Sequence, residues 1–372
     1  MRIVVVTGIF PPDHGGPASY VPVISGELVA QGHEVLVVTL SDRLDIEAQH
    51  PFGVTRIARH QSRLLRTLKV IWTIWTAALR ADVLYLNGLV LEGTLAGLLS
   101  GTPFVTKVVG DLVWERATRA RETESNLDDF QWERLPLYWR LMRTLQSWYT
   151  AKASWVVVPS GYLGRVVSGW GVPAARTRVI FNAVQPFAPV GVFRKSYDVV
   201  TVGRLVPWKG VRELMDVCAD LRLSLRIVGD GPLRRELETH AATLQSEISF
   251  AGHVEHSGVA AEISRGRVFV LNSSYEGLPH IVLEAKLAGV PVLATAAGGT
   301  AETITHEVDG WLVPVGDRGA LSDGLARLIA DPALCQRLAA SADLQVRTQF
   351  SFAMMVEQTV DVLSRAAARE LR

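Results

Sequence analysis

Apolar residues in this chain come in short unbroken runs rather than in strict alternation. The segments "RIVVVTG", "HEVLVVTL", "ADVLYLN", "PFVTKVVG" and "ASWVVVPS" are of strand length and rich in β-branched residues. That is the pattern of parallel strands covered on both faces. Longer segments at helical spacing separate them, the first around Ser19–Gln31. The same rhythm restarts with "YDVVTVGRL" and continues through "LSLRIVGDG", "ISFAGHV", "RVFVLNSS" and "VPVLATAAGG". Two doubly wound α/β domains follow, parted in the proline-rich "VQPFAPVGVF" at 184–193. The last run, "FSFAMMVEQTVDVLSRAAARELR", spaces Met354, Val356, Val360 and Leu363 as one helical face.

Composition fits this picture. A chain of 372 residues suits two domains of roughly 150–200 residues each. Hydrophobic content of 48% against 20% charge excludes a disordered protein. A net charge of +1 gives no global attraction for nucleic acid, so a nucleic-acid partner is not expected. Cys218 and Cys335 make neither a disulfide framework nor a metal-binding spacing, which fits a reducing compartment. The apolar run at the start is too short for a signal sequence, and Leu84–Val105, broken by Glu92 and four glycines, reads as strand-helix-strand rather than a membrane span. A cytoplasmic location is expected.

In open α/β sheets ligands bind at the carboxyl ends of strands, and the informative residues fall there. The stretch "SYEGLPHIVLEAKLAGVPVLAT" sets Glu276 and Glu284 around a helix start. Pro279 suits a first helical turn, and Gly289 with Pro291 a stop, so the helix spans about 279–288. Its leading N–H groups at His280, Ile281 and Val282 offer an anion site, and the two acids can accept from hydroxyls on either side of it. The plainer alternative is a capping acid and a solvated one. In "GRLVPWKGVREL", Lys209 precedes a helix start, which is unfavourable against the dipole unless an anion lies there. Arg204 adds a planar two-point donor, and the pair suits a diphosphate, the plainer alternative being two surface cations. Gly15-Gly16 after the first strand lets backbone N–H groups approach a phosphate, although any tight strand–helix turn also favours glycine. The dinucleotide glycine spacing is absent.

Together these motifs resemble the family 4 glycosyltransferases of the GT-B fold. The resemblance is carried by the E-x7-E run from Glu276 to Glu284, then "GRLVPWKG", "RIVGDGP", "FAGHV", "DGWLVPVGD", the "GG" after the first strand and "VIFNAV", in the family's order. It implies two Rossmann-like domains facing across a cleft: 1–187 for the acceptor, 188–350 for the nucleotide sugar, and a helix at 351–372 crossing back to the first. It implies retaining transfer from a UDP- or GDP-sugar to a carbohydrate or lipid-linked acceptor in cell-envelope polysaccharide or glycolipid assembly. Neither a metal nor a permanently bound cofactor is expected, and there is no D-x-D motif. By the resemblance Arg204 and Lys209 hold the diphosphate, Glu276 the sugar, Glu284 the ribose, and Gly16 a phosphate. Gly252, His253 and Val254 lie against the base, and Gly277, Leu278, Pro279, His280, Ile281 and Val282 complete the donor site.

The chain departs from many relatives in lacking a histidine after the third and fourth of these strands, where it has Asn87 and Val109-Gly110-Asp111. Asp111 is therefore a candidate contact for sugar or acceptor hydroxyls, or else the cap of the next helix. His14 is a further candidate near the acceptor. A sugar-nucleotide epimerase of the same layout and a non-catalytic binding subunit are the rival readings.

One segment is unusual in charge. No acid occurs from Ala48 to Ala81, while Arg56, Arg59, Arg63, Arg66, Lys69 and Arg80 are all basic. Leu64, Leu68, Ile71, Trp72, Trp75 and Leu79 share one helical face. That face is either domain core or, over 56–80, a contact with an anionic membrane at the inner face of the cell membrane. Residues 131–148, with Trp132, Tyr138, Trp139 and Trp148 among arginines, are a second such face or a wall of the acceptor groove.

Overall fold

The computed structural model describes residues 1–13, 15–44, 50–184 and 195–370. His14 and nearly all of the 184–193 boundary lie outside the described residues. The chain forms two compact units, Met1–Ile180 with Ala353–Arg372, and Phe181–Phe352.

The first unit runs β1 (Arg2–Thr7), α1 (Gly16–Ala30), β2 (Glu34–Ser41), β3 (Gly53–Ala58), α2 (Arg63–Ala78), β4 (Val83–Leu86), α3 (Val90–Ser100) and β5 (Phe104–Lys107). It continues with α4 (Leu112–Arg119), α5 (Leu127–Phe130), α6 (Leu137–Ala151), β6 (Trp155–Val158), α7 (Gly161–Gly169) and β7 (Thr177–Val179). The sheet is wholly parallel in the order β3-β2-β1-β4-β5-β6-β7. β4 and β6 are buried along their whole length, because helices cover both faces and every side chain meets an apolar layer. Two edge strands, β3 and β7, lack an apolar run: β3 is buried only at Ile57 and Ala58, and β7 is largely exposed.

The second unit holds β8 (Tyr197–Val202), α8 (Val211–Asp220), β9 (Leu225–Val228), α9 (Arg234–Ala241), β10 (Ile248–Gly252), α10 (His256–Ser264), β11 (Gly266–Leu271) and α11 (His280–Leu287). β12 (Val292–Thr295), β13 (Trp311–Val313), α12 (Arg318–Ala330) and α13 (Pro332–Gln349) complete it. Its parallel sheet has the order β10-β9-β8-β11-β12-β13. One core, with Val199, Leu214, Met215, Ile227 and Leu325, lies on one sheet face, and another, with Val200, Phe269, Val282 and Val292, on the other. The final helix, α14 (Phe352–Ala367), belongs from Ala353 onward to the first unit, where Arg369 donates to the Gly101 carbonyl at 3.1 Å.

Two helical faces differ from the sequence reading. In α2 the core face is Val70, Ile74 and Ala78, whereas Leu64, Leu68, Trp72 and Leu79 are exposed and Ile71 and Trp75 half-buried. The longest apolar stripe thus points outward, and the core reading of it is corrected. In α14 the buried face is Met355, Val356, Thr359, Val362, Leu363 and Ala366, so Met354 is turned to solvent. Val356 and Leu363 lie on the expected face, but Val360 is half-buried, and small or weakly polar residues such as Ala366 and Thr359 complete the core side, which apolar spacing alone does not mark.

Candidate active site

The loops after β8 and β11, neighbours in the second sheet, bring the main residues together. After β8 the chain turns at Gly203-Arg204 and closes a short turn in which Lys209 N–H donates to the Val206 carbonyl at 3.1 Å. This folds the Lys209 side chain back over Gly203, where a Cβ would lie 3.7 Å from Lys209 Cε. Gly210 then starts α8 with φ +59, and a Cβ on it would sit 2.1 Å from the Asn272 carbonyl oxygen. Only glycine gives both the left-handed backbone and that approach of the two loops. Asn272 fastens the approach by donating to the Gly210 carbonyl at 3.1 Å and to Glu213 at 2.9 Å.

Lys209 is ion-paired with Glu276, and Ser273 Oγ donates to the same carboxylate oxygen at 2.6 Å. Both members of the ion pair are mostly buried, with side chains 17% and 12% exposed. The Glu276 carbonyl accepts from Gly299 N–H at 2.9 Å, which fixes the loop from the other side. Arg204 is exposed and makes no ion pair with a described residue. Ser273 carries no motif of its own, and only its place just after β11 could have singled it out.

α11 begins at His280, with Pro279 at the cap position and no side chain capping it. A helix start favours an anion. The sequence reading counted the Val282 N–H toward such a site, but it donates to the Pro279 carbonyl at 3.2 Å, so that part is corrected. Leu278, Pro279 and Val282 are buried, while Gly277, His280 and Ile281 are partly open. Glu284 lies one turn further in, only 7% exposed, and makes no ion pair with a described residue to offset its charge. Burial pushes its carboxyl up to about 7. Two residues on, the fully buried Lys286 ammonium donates to the Thr303 carbonyl at 2.5 Å, Asp309 Oδ1 at 2.8 Å and Gln345 Oε1 at 2.5 Å. Asp309 Oδ1 also accepts from Thr305 N–H at 2.9 Å. Lys286 anchors α11, and nothing in the local sequence marked it.

Gly252, His253 and Val254 stand at the end of β10, the edge strand, with β9 between it and β8. Gly252 has φ +72 and accepts from Gly229 N–H at 2.8 Å, and His253 lies 3.6 Å from the Glu255 carboxylate. They share the strand-end side of the unit with Arg204, but two strands along.

In the first unit, Gly15 and Gly16 open α1, exposed and without a side-chain cap. A crevice of about 200 Å³ lies at the strand ends, lined by Gly8, Asn87, Thr106, Gly110, Gln146 and Tyr149 among others. Asp111 stands beside it but is 1% exposed. Its Oδ1 accepts from the N–H groups of Val113 at 2.9 Å and Trp114 at 3.0 Å and from Gln146 at 3.0 Å, while Oδ2 accepts from Gln131 at 3.1 Å. A carboxylate enclosed and occupied in this way is the cap of α4, not a contact for sugar hydroxyls, and the catalytic reading of Asp111 is replaced. Lys107 is enclosed as well, 3.5 Å from the centroid of the Tyr20 ring, and burial lowers its ammonium below the ordinary range.

Among the described residues no group of three or more His, Cys, Asp or Glu is placed to hold a metal ion. No helix among them is long and apolar enough to cross a membrane.

Two parallel-sheet units with charged strand-end loops define a class, and comparison with known proteins names it. Residues 187–345 match glycosyl transferases group 1, and residues 14–186 match glycosyltransferase family 4. The chain belongs to the family 4 glycosyltransferases, with the GT-B fold. Among relatives, the lipopolysaccharide core biosynthesis glycosyltransferase LpsD of Rhizobium meliloti is 34% identical over 177 residues, covering 47% of this chain and 51% of that one. The chain spans about half the length of the curated relatives it first matches. In fold it is similar to sucrose-phosphate synthase of Thermosynechococcus elongatus, with TM-score 0.83, 21% identity, and coverage of 99% of this chain and 100% of that one. It is also similar to Anabaena HepE in complex with UDP-glucose, with TM-score 0.77, 22% identity, and coverage of 98% and 99%.

Proposed function

We propose that the chain moves a sugar, with retention and without a metal, from a nucleoside-diphosphate sugar to a hydroxyl acceptor in cell-envelope polysaccharide or glycolipid assembly. The observation that carries this reading is the Lys209–Glu276–Ser273 cluster, with Arg204, in the same loop as Lys209, making no ion pair with a described residue. An arginine without an ion pair to a described residue, a mostly buried lysine and a helix start all favour a multiply charged anion.

Transfer breaks the bond between the anomeric carbon and the diphosphate oxygen, so negative charge grows on the diphosphate. Arg204 and Lys209 stabilise that charge more in the transition state than before it. Glu276, held by Lys209 and Ser273, orients the sugar hydroxyls, and Glu284 accepts from the ribose. The new bond forms from the acceptor oxygen on the face the diphosphate leaves, and the acceptor proton passes to the leaving phosphate oxygen. The cations then do work a metal does elsewhere. Residues 188–350 take the donor, 1–187 the acceptor at the strand-end crevice, and 351–372 tie the chain's end to the first part. The segment 56–80 contacts an anionic membrane from the cytoplasmic side. Because HepE, of the same fold, holds UDP-glucose, UDP-sugars are the first donors to try, before GDP-sugars. Epimerisation would need an acid–base pair at the sugar C2, and the named relatives are a transferase and a synthase.

A thermal-shift panel of UDP, GDP, ADP and TDP and their sugars tests the reading, on wild type and Lys209→Ala. A ligand at about 100 times its Kd adds about 2.7 kcal/mol of stability. A shift with one nucleotide family, weakened in the variant, is expected, together with turnover that survives EDTA. No shift with any of them overturns the proposal.

A further inference from the structure

A helix covering a sheet ordinarily turns polar residues to water. The outward faces of α2 and α6 do not. In the first three turns of α2, Leu64, Leu68 and Trp72 are 71%, 55% and 62% exposed. In the first two turns of α6, Leu137, Tyr138 and Leu141 are 68%, 60% and 60% exposed. α3 packs against both helices, and so lies between them in one layer on the sheet. α2 follows the carboxyl end of β3, and α6, reached through α4 and α5, runs down to the amino end of β6, so the first turns of both lie at the end of the unit where the crevice opens.

The two helices themselves carry no acid, although α3 between them has Glu92 in its first turn. α2 lies in a stretch without acids from Ala48 to Ala81, and α6 in another from Arg134 to Tyr197. Arg63, Lys69 and Arg140 are exposed beside the apolar side chains. An apolar patch fringed by cations matches an anionic lipid surface, where rings and leucines enter the headgroup layer and cations meet phosphates. A second copy of the chain fits less well, because a two-fold contact would set one basic patch against another.

We propose that this end of the first unit seats on an anionic phospholipid surface through both helices, so that the acceptor hydroxyl enters the crevice from a lipid. The acceptor part rests on the transferase reading above; the surface extends the 56–80 contact of that reading to α6 and does not depend on the transfer chemistry.

The test is sedimentation of the full chain with phosphatidylcholine vesicles, with and without phosphatidylglycerol. The chain should bind only the anionic vesicles. Leu64→Gln with Leu68→Gln, and separately Tyr138→Gln with Leu141→Gln, should each weaken binding at least about tenfold, and each lost cation about fivefold. The thermal midpoint should stay unchanged, since these side chains already face water. Equal binding to neutral vesicles, wild-type binding by either double variant, or no vesicle binding but a dimer that the substitutions dissociate would overturn the proposal. Nucleotide-induced stabilisation, measured on the same samples, separates failure of the surface from failure of the donor site. Label from the donor should enter an organic extract, and label confined to water-soluble product overturns the lipid-borne acceptor.

Discussion

Glu284→Gln should stabilise the ligand-free protein at alkaline pH and weaken it as a nucleotide binder. The wild-type carboxyl is 7% exposed and raised from 4.5 to about 7 by burial alone. An acid with a raised pKa in the folded state binds its proton more tightly there than when unfolded. Stability is therefore lost as pH rises from 4.5, and the loss is complete above about 7. The full displacement corresponds to about 3 kcal/mol, most of which falls between pH 5 and pH 8. Glutamine keeps the shape and does not titrate. The variant's advantage over wild type should thus grow by about 2–3 kcal/mol from pH 5 to pH 8, or about 5–10 °C in midpoint for a unit of this size. Urea and thermal titrations of the full chain at both pH values measure it. An advantage that is the same at the two pH values would refute the argument from burial. If the carboxylate accepts from a ribose, the same change should raise the nucleotide Kd about tenfold or more.

Other outcomes follow from the same geometry. Lys209→Ala should lower turnover about 10²-fold, and turnover within a factor of two of wild type would remove Lys209 from the reaction. Lys286→Ala leaves Asp309 buried without its cation and should cost about 3–5 kcal/mol, read from a urea titration. Asp111→Ala removes the cap of α4 and should cost about 1–2 kcal/mol in the same assay, while turnover at saturating donor stays within a few-fold; a loss near 10²-fold would return Asp111 to the chemistry.

The central strands were legible because their environment is uniform. β4 and β6 meet apolar layers on both faces, so their sequences are unbroken apolar runs. β3 and β7 are edge strands with water on one side, and their short mixed segments carry no such signal. Arg204, Lys209 and Glu276 could be picked out because polar residues directly after a buried strand have few structural uses. Their arrangement could not: Lys209 pairs with Glu276 only because β8 and β11 are neighbours in the sheet although far apart in the chain. Asp111 has the same local appearance as a functional acid, and only the positions of Gln131 and Gln146 show that its oxygens are occupied.

By itself the sequence determined the two parallel-sheet units, the strand-end positions of the charged residues and the acid-free stretches, since periodicity, turn chemistry and charge are local properties. The tertiary structure alone decided which acid is a cap, which lysine is an anchor and which helical face meets water. Those outcomes depend on partners brought together by strand order. The apolar stripe of α2 is the plainest case. Its residues would suit a core or a surface equally, and the sheet is covered instead by Val70, Ile74 and Ala78.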